Sequence, residues 1–445
     1  MTLLDLTPRT SRASRLDTLP VAIIGAGPIG LAAAAHLTER GIDFTIFEAG
    51  DEVGASVRAW GHTRLFSPWE HLIDPASGRL LEASGWQAPA ASRIPTGAEL
   101  VSRYLMPLAQ LGAIASRTQT GTEVLAVTRE GMDRTRTRAR AVTPFALRIR
   151  HTDGSIEDVP ARAVIDASGT YRTPNSLGSS GLDPLGLGDV ADRVSPALPD
   201  VLGRDRARFA GRHTTVVGAG HSAANTLLAL VKLAAEAPGT RVTWLIRNAR
   251  AARVTTAPDD ELAGRAELGG RVEELVRSGA IDLVDGFEIV GARRAAAESH
   301  GEAENGVELV GLRRGESVTH RTDEVVNATG FRPDLGMLRE LRLELDDIVE
   351  APRRLAPLID PNVHSCGTVE PHGFRELTHP EQNFFIVGMK SCGRAPTFLL
   401  ATGYEQVRSV AAHLAGDTES ALQVALTLPT TGVCSTDIGG GACCT

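Results

Sequence analysis

Two glycine-rich turns constrain this chain more than any other feature. Gly25-Ala26-Gly27-Pro28-Ile29-Gly30 follows the apolar run Val21-Ala22-Ile23-Ile24, and Gly218-Ala219-Gly220-His221-Ser222-Ala223 follows Thr214-Thr215-Val216-Val217. Each pattern predicts a strand, a tight turn and the start of a helix. Glycines there let the backbone approach a pyrophosphate, and the helix N-terminus faces its negative charge. A single such turn is often only structural. Two copies, each with a strand before, a helix after and a distinctive residue ending the next strand, predict two dinucleotide sites.

The residues ending those next strands differ. The first unit ends in Ile46-Phe47-Glu48 and the second in Leu245-Ile246-Arg247, with Arg250 and Arg253 close behind. An acid suits a free ribose 2′-hydroxyl, and an arginine suits a 2′-phosphate. The contrast predicts FAD in the first unit and NADPH in the second.

Composition sets the outer bounds. The chain has 445 residues, too many for one small core. A net charge of −8 gives no support for nucleic-acid binding. No apolar run approaches a membrane span, and the first residues lack a basic-then-apolar leader pattern, so a cytoplasmic location is expected. The 5 cysteines are Cys366, Cys392, Cys434, Cys443 and Cys444, which is not a disulfide framework.

The order of patterns predicts an α/β protein with two Rossmann-like dinucleotide-binding domains, the NADPH domain inserted into a discontinuous FAD domain. Residues 1–175 and 326–428 form the FAD domain, 176–204 a connection and 205–325 the NADPH domain. Residues 429–445 form a mobile cysteine-containing tail. Helices are expected over 31–40, 98–111 and 396–414, the last aiming its N-terminus, near Thr397 and Phe398, at whatever the first domain holds. The basic stretch Arg134–Arg140 reads as a solvated hairpin tip.

The ordered set GAGPIG, FEAG, DASGTY, GAGHSA, NATGFRPD and IVGMK resembles the flavoproteins with two dinucleotide-binding domains, which include flavin-containing monooxygenases and thioredoxin reductases. Phe209-Ala210-Gly211-Arg212-His213 is similar to part of the F-x-G-x-x-x-H signature of flavin-dependent monooxygenases, with the histidine early. HSCGTVEPHG (364–373) and GRAPTFLLATGYEQVRS (393–409) are similar to ArsO-type flavoproteins of bacterial arsenic-resistance gene clusters. The resemblance implies FAD held by Gly25, Gly27, Gly30 and Glu48, with Trp60, Val124, Ser168, Gly169, Gly388 and Thr397 around it. It implies NADPH held by Gly218, Gly220, His221, Ser222 and Arg247, with Thr329 and Gly330 at the domain's end. Related proteins are often homodimers.

Three fates for the electrons are open at this stage. A monooxygenase would form a flavin hydroperoxide with molecular oxygen and oxidise a soft reduced centre, such as a trivalent arsenical, thioether or amine. A thiol or metal(loid) reductase would use the Cys443-Cys444 tail, with Cys434 as a further soft-metal ligand. A redox sensor would use the flavin structurally. The absence of cysteine from 51–70 and 210–325 excludes the usual internal dithiols. Arg64, Ser67, Trp69 and Cys392 are the candidates for catalysis, with Trp60 and Phe66 completing an aromatic cluster in a chain only 4% aromatic. His364, Cys366 and His372 are the most ligand-like internal cluster, at a spacing that fits no standard zinc site.

Overall fold

The computed structural model describes residues 16–248, 263–296, 306–360, 371–395 and 399–426. The first region begins with β1 (Val21–Ile24), α1 (Pro28–Glu39) and β2 (Phe44–Phe47), followed by β3 (Thr118–Gln119), β4 (Thr122–Arg129), β5 (Phe145–His151), β6 (Ile156–Ala161) and β7 (Ala163–Asp166). The second holds β8 (Val194–Ser195), β9 (His213–Val217), α2 (His221–Glu236), β10 (Arg241–Leu245), α3 (Ala263–Arg277), β11 (Asp282–Val284), β12 (Phe287–Arg294), β13 (Val307–Arg313), β14 (Glu316–Thr322) and β15 (Glu324–Asn327). Later in the chain come β16 (Phe384–Ile386) and α4 (Leu400–Leu414), with a short helix at Thr418–Leu422 after them.

Two parallel five-stranded sheets carry the architecture. The first has the order β16-β7-β1-β2-β3, the second β11-β10-β9-β15-β8, and antiparallel three-stranded sheets β4-β5-β6 and β12-β13-β14 accompany them. The chain leaves the first sheet after β7, builds the second, and returns to the first through β16. Part of the expected connection, β8, is thus an edge strand of the second sheet.

Burial explains the sequence patterns. All of β1 is buried, as a central parallel strand covered on both faces requires. Ala32, Ala33, Ala34 and Ala35 of α1 are fully enclosed, and their small side chains let α4 lie close along α1. The helix expected over 98–111 is present as one helical run over 97–109, with a π turn inside it. A capping box at Thr96 starts Gly97–Leu100, Val101–Leu105 forms a wider π turn, and Met106–Ala109 finishes it. Pro107 cannot donate to the ladder, and the π turn precedes it.

The basic stretch also departs from expectation. Arg140 is buried rather than solvated, and it shares Glu381 with the fully enclosed Arg129. Arg129 Nε donates to Glu381 Oε1 at 2.8 Å and Arg140 Nη2 to Oε2 at 2.8 Å. Arg129 also lies over the Phe145 ring, 3.6 Å from its centre. This clamp fastens the sheet β4-β5-β6 to the segment that leads into β16.

Candidate functional site

The three glycines of the first turn have three physical jobs. Gly25 adopts φ +97°, and its N–H donates to Phe47 O at 2.7 Å. A Cβ there would meet Ala167 O at 2.9 Å and Ser168 Cα at 3.1 Å. A Cβ on Gly30 would lie 1.9 Å from Gly25 O, so only glycine allows α1 to start this close to β1. A Cβ on Gly27 would meet nothing within 4 Å. The middle glycine therefore leaves backbone open on the side where a pyrophosphate is expected.

The second turn repeats the scheme. Gly218 has φ +129°, and a Cβ there would strike Ala328 O at 2.2 Å, whereas one on Gly220 would meet nothing within 4 Å. Trp244 Nε1 donates to Gly218 O at 2.7 Å and steadies the turn from the next strand. Neither α1 nor α2 has a side-chain cap, although Asp74 caps the helix Pro75–Ala83. The first N–H groups of a helix have no partner within it, so both starts offer donors and a positive dipole end to an external anion. This pairing of open glycine and uncapped helix fits a dinucleotide at each turn.

Around the first turn the structure gathers most of the expected residues. Glu48 accepts from the N–H groups of Ala26 at 2.7 Å and Gly50 at 2.8 Å, which orients its carboxylate beside the turn. Thr122 N donates to Glu48 O, so β4, with Val124, begins next to it. Ser168 and Gly169 follow β7, and Ser168 lies beside Gly25. Gly388 has φ +69°, and a Cβ there would meet Ile29 at 3.0 Å. Trp60 packs on Gly97 and serves local packing. Thr397, Cys434, Cys443 and Cys444, with His364 and Cys366, lie outside the described residues.

At the second turn His221 and Ser222 open α2. Arg247 is exposed at the end of the strand pattern and donates to Ser179 O at 3.1 Å, which leaves most of its guanidinium donors to solvent or ligand. Thr329 Oγ1 donates to Asn327 Oδ1 at 2.7 Å, and Gly330 has φ +100°. Asn175 joins the two crossings between the sheets. Its N–H donates to Gly330 O at 2.9 Å, and its carbonyl accepts from Asn327 Nδ2 at 2.9 Å. Phe66 reaches from the first region to within 5.1 Å of the His221 ring and packs on the second core.

The candidates for catalysis fare unequally. Arg64 is exposed and donates to Ile94 O, and Ser67 is half-buried. Trp69 and Cys392 are fully enclosed in the first core, so neither can touch a substrate, and this corrects the expectation for both. Burial pushes the Cys392 thiol up to about 12, which keeps it protonated and unreactive. His372 is also buried and bonds to Gln406 at 2.7 Å. Among the described residues, no group of three or more His, Cys, Asp or Glu could hold a metal ion, and no helix is long and apolar enough to cross a membrane.

Sequence reasoning missed a buried polar layer behind the first turn. Lys390 Nζ donates to Asp166 Oδ2 at 2.7 Å and to Ser168 Oγ at 3.1 Å. Gln406, on α4, accepts from Gly388 N at 2.7 Å and donates to Ser391 Oγ at 2.9 Å. The only sequence signal was a lysine and a glutamine inside apolar surroundings.

The fold agrees with the comparisons. The sequence profile described as pyridine nucleotide-disulphide oxidoreductase matches residues 22–365. Bacillithiol disulfide reductase from Bacillus cereus superposes with a TM-score of 0.66 at 22% identity, covering 89% of this chain and 99% of that one. The cadaverine monooxygenase of desferrioxamine biosynthesis from Erwinia amylovora, a structure bound to FAD, gives 0.63 at 14% identity, covering 93% and 99%. Thioredoxin reductase from T. acidophilum gives 0.54 at 15%, covering 90% and 99%. No curated protein matches the sequence.

Proposed function

Because the chain belongs to the pyridine nucleotide-disulphide oxidoreductase family, we propose that it is an FAD-containing, NADPH-dependent oxidoreductase that acts as a monooxygenase. The observation that carries the cofactor reading is the repeated open glycine before an uncapped helix, at Gly27 and at Gly220. FAD would rest on the first turn with Glu48 at its ribose, and NADPH on the second with Arg247 at its 2′-phosphate. Bound flavin supplies hydride acceptance and oxygen chemistry that no side chain has. The protein's own part is to hold the two dinucleotides, with Phe66 of the first region packed against His221 at the second turn.

The choice of monooxygenase over disulfide reductase is supported by the cysteines. The chain has none before Cys366, and the one described thiol, Cys392, is enclosed and protonated. Electrons on the flavin then have oxygen as the acceptor nearest to hand. The proposed substrate is a small molecule with a soft reduced centre, a trivalent arsenical being the first to try. The second reading, a metal(loid) reductase, depends on Cys443 and Cys444.

Purified protein should be yellow and oxidise NADPH, with turnover that requires oxygen and rises with arsenite. Turnover without oxygen that vanishes in C443S/C444S would favour the reductase. Cys392→Ala should leave NADPH oxidation within about twofold of wild type, since a protonated core thiol transfers nothing. A greater loss at unchanged flavin content would restore Cys392 as a candidate. Arg247→Gln should raise KM for NADPH by about 10- to 100-fold, the worth of a charge-assisted hydrogen bond, and leave NADH unaffected. Equal effects on both coenzymes would remove Arg247 from the 2′-phosphate.

A further inference from the structure

We propose that Lys390 and Asp166 are positioning residues for the first cofactor, a role they exert through Ser168 without touching it. This rests on the reading of the first turn as the FAD site. Both charged side chains have 0% exposure, so a dinucleotide cannot meet either directly. Ser168 is exposed, and it is the point where the buried pair reaches the surface.

The geometry gives Ser168 one arrangement. Its N–H donates to Asp166 Oδ1 at 3.1 Å and its hydroxyl to the same oxygen at 2.6 Å. Lys390 Nζ binds the other carboxylate oxygen and donates to the Ser168 hydroxyl. The hydroxyl's proton is committed to Asp166 and one lone pair to Lys390. These two bonds fix the rotamer, and one lone pair of the hydroxyl has no donor among the described residues. Ser168 Cα in turn lies against Gly25, the first residue of the turn.

The pair also joins distant parts of the chain. Asp166 ends β7, and Lys390 lies in the turn after β16, two residues beyond Gly388, which packs on Ile29 at the start of α1. The ammonium thus ties the returning C-terminal segment to the loop beneath the first glycine turn. Buried at 0% exposure, each charge needs the other, so the loop has little freedom to move away while the pair is intact.

The test is a double-mutant cycle on FAD affinity, measured by titrating flavin-stripped protein with FAD and following flavin fluorescence, with the melting temperature of each stripped protein recorded. The variants are S168A, K390M, the charge-free pair D166N/K390M, and each of the last two combined with S168A. D166N/K390M leaves no unpaired buried charge, so it stands in if K390M fails to fold. The expected result is FAD binding at least fivefold weaker in S168A and in D166N/K390M, and no more than twofold weaker again when S168A is added to the pair. A merely structural pair would lower melting temperature while the effect of S168A multiplied in full. That outcome, or wild-type affinity in D166N/K390M, overturns the positioning role and leaves the FAD reading intact. Wild-type protein that takes up no FAD overturns both.

Discussion

Gly30→Ala should yield protein with less than about a tenth of the flavin of wild type and a clearly lower melting temperature, because the added methyl has nowhere to go. Its Cβ would sit 1.9 Å from Gly25 O, a backbone atom of the same turn. That carbonyl cannot swing away cheaply, since the Gly25 N–H is tied to Phe47 O and the turn is closed on its other side by Ala167 and Ser168. Relief must come from lifting the start of α1 off β1, at a cost of about 1–3 kcal/mol or more for overpacking. Gly27→Ala is the informative companion. Gly27 has φ −81° and open space where a methyl would be, so the apo fold should melt as wild type does. The methyl would instead occupy the ligand's side, and flavin content should fall by a similar factor. Visible absorbance per chain and differential scanning calorimetry read both variants. A Gly27→Ala protein that keeps its full flavin complement would dismiss the first turn as a pyrophosphate site.

That pair of variants also marks which parts of the site are legible in the sequence. A glycine pattern is readable because its cause is local: the turn, the close approach and the open backbone all act within six residues. Glu48 and Arg247 were readable for the same reason, as each ends the strand next after its turn. The alternation of motifs predicted that the chain leaves the first sheet and returns to it. The failures are residues whose partners lie far away in sequence. Asp166 and Lys390 are 224 positions apart, and Arg140 and Glu381 are 241 apart. No window of sequence joins them, so local pattern puts Arg140 in solvent and gives Lys390 and Asp166 no reason to pair. Trp69 and Cys392 failed differently. Their chemistry suggested a site, but their apolar bulk was spent on the core.

Glu381→Ala is expected to lower stability by about 3–5 kcal/mol, the typical result of removing one member of a buried ion pair. The carboxylate holds two arginines, of which Arg129 is fully enclosed and Arg140 nearly so. Arg129 would keep its bond to Thr143 O at 2.7 Å, but its charge would face only carbonyl dipoles and the Phe145 ring. Domains are stable by only about 5–15 kcal/mol, so the loss is a large fraction of the whole. Burial pushes the Glu381 carboxyl up, yet hydrogen bonds from Arg140 and Arg129 more than offset it and hold the group below the usual carboxylate range. With the folded value lowered, the stabilisation is complete above the unfolded value near ~4.3 and fades as pH falls through the folded one. Wild type and variant should therefore differ most near neutrality and converge in acid. Arg148→Ala is the matched control, because its pair with Asp158 is exposed on both sides and screened by solvent, so its loss should barely move the melting temperature. Because Glu381 sits three residues before β16, its loss should also loosen the segment carrying Gly388 and Lys390, so flavin retention should decline along with the melting temperature. A Glu381→Ala protein that melts within a degree of Arg148→Ala at neutral pH would show that the clamp contributes nothing beyond a surface pair.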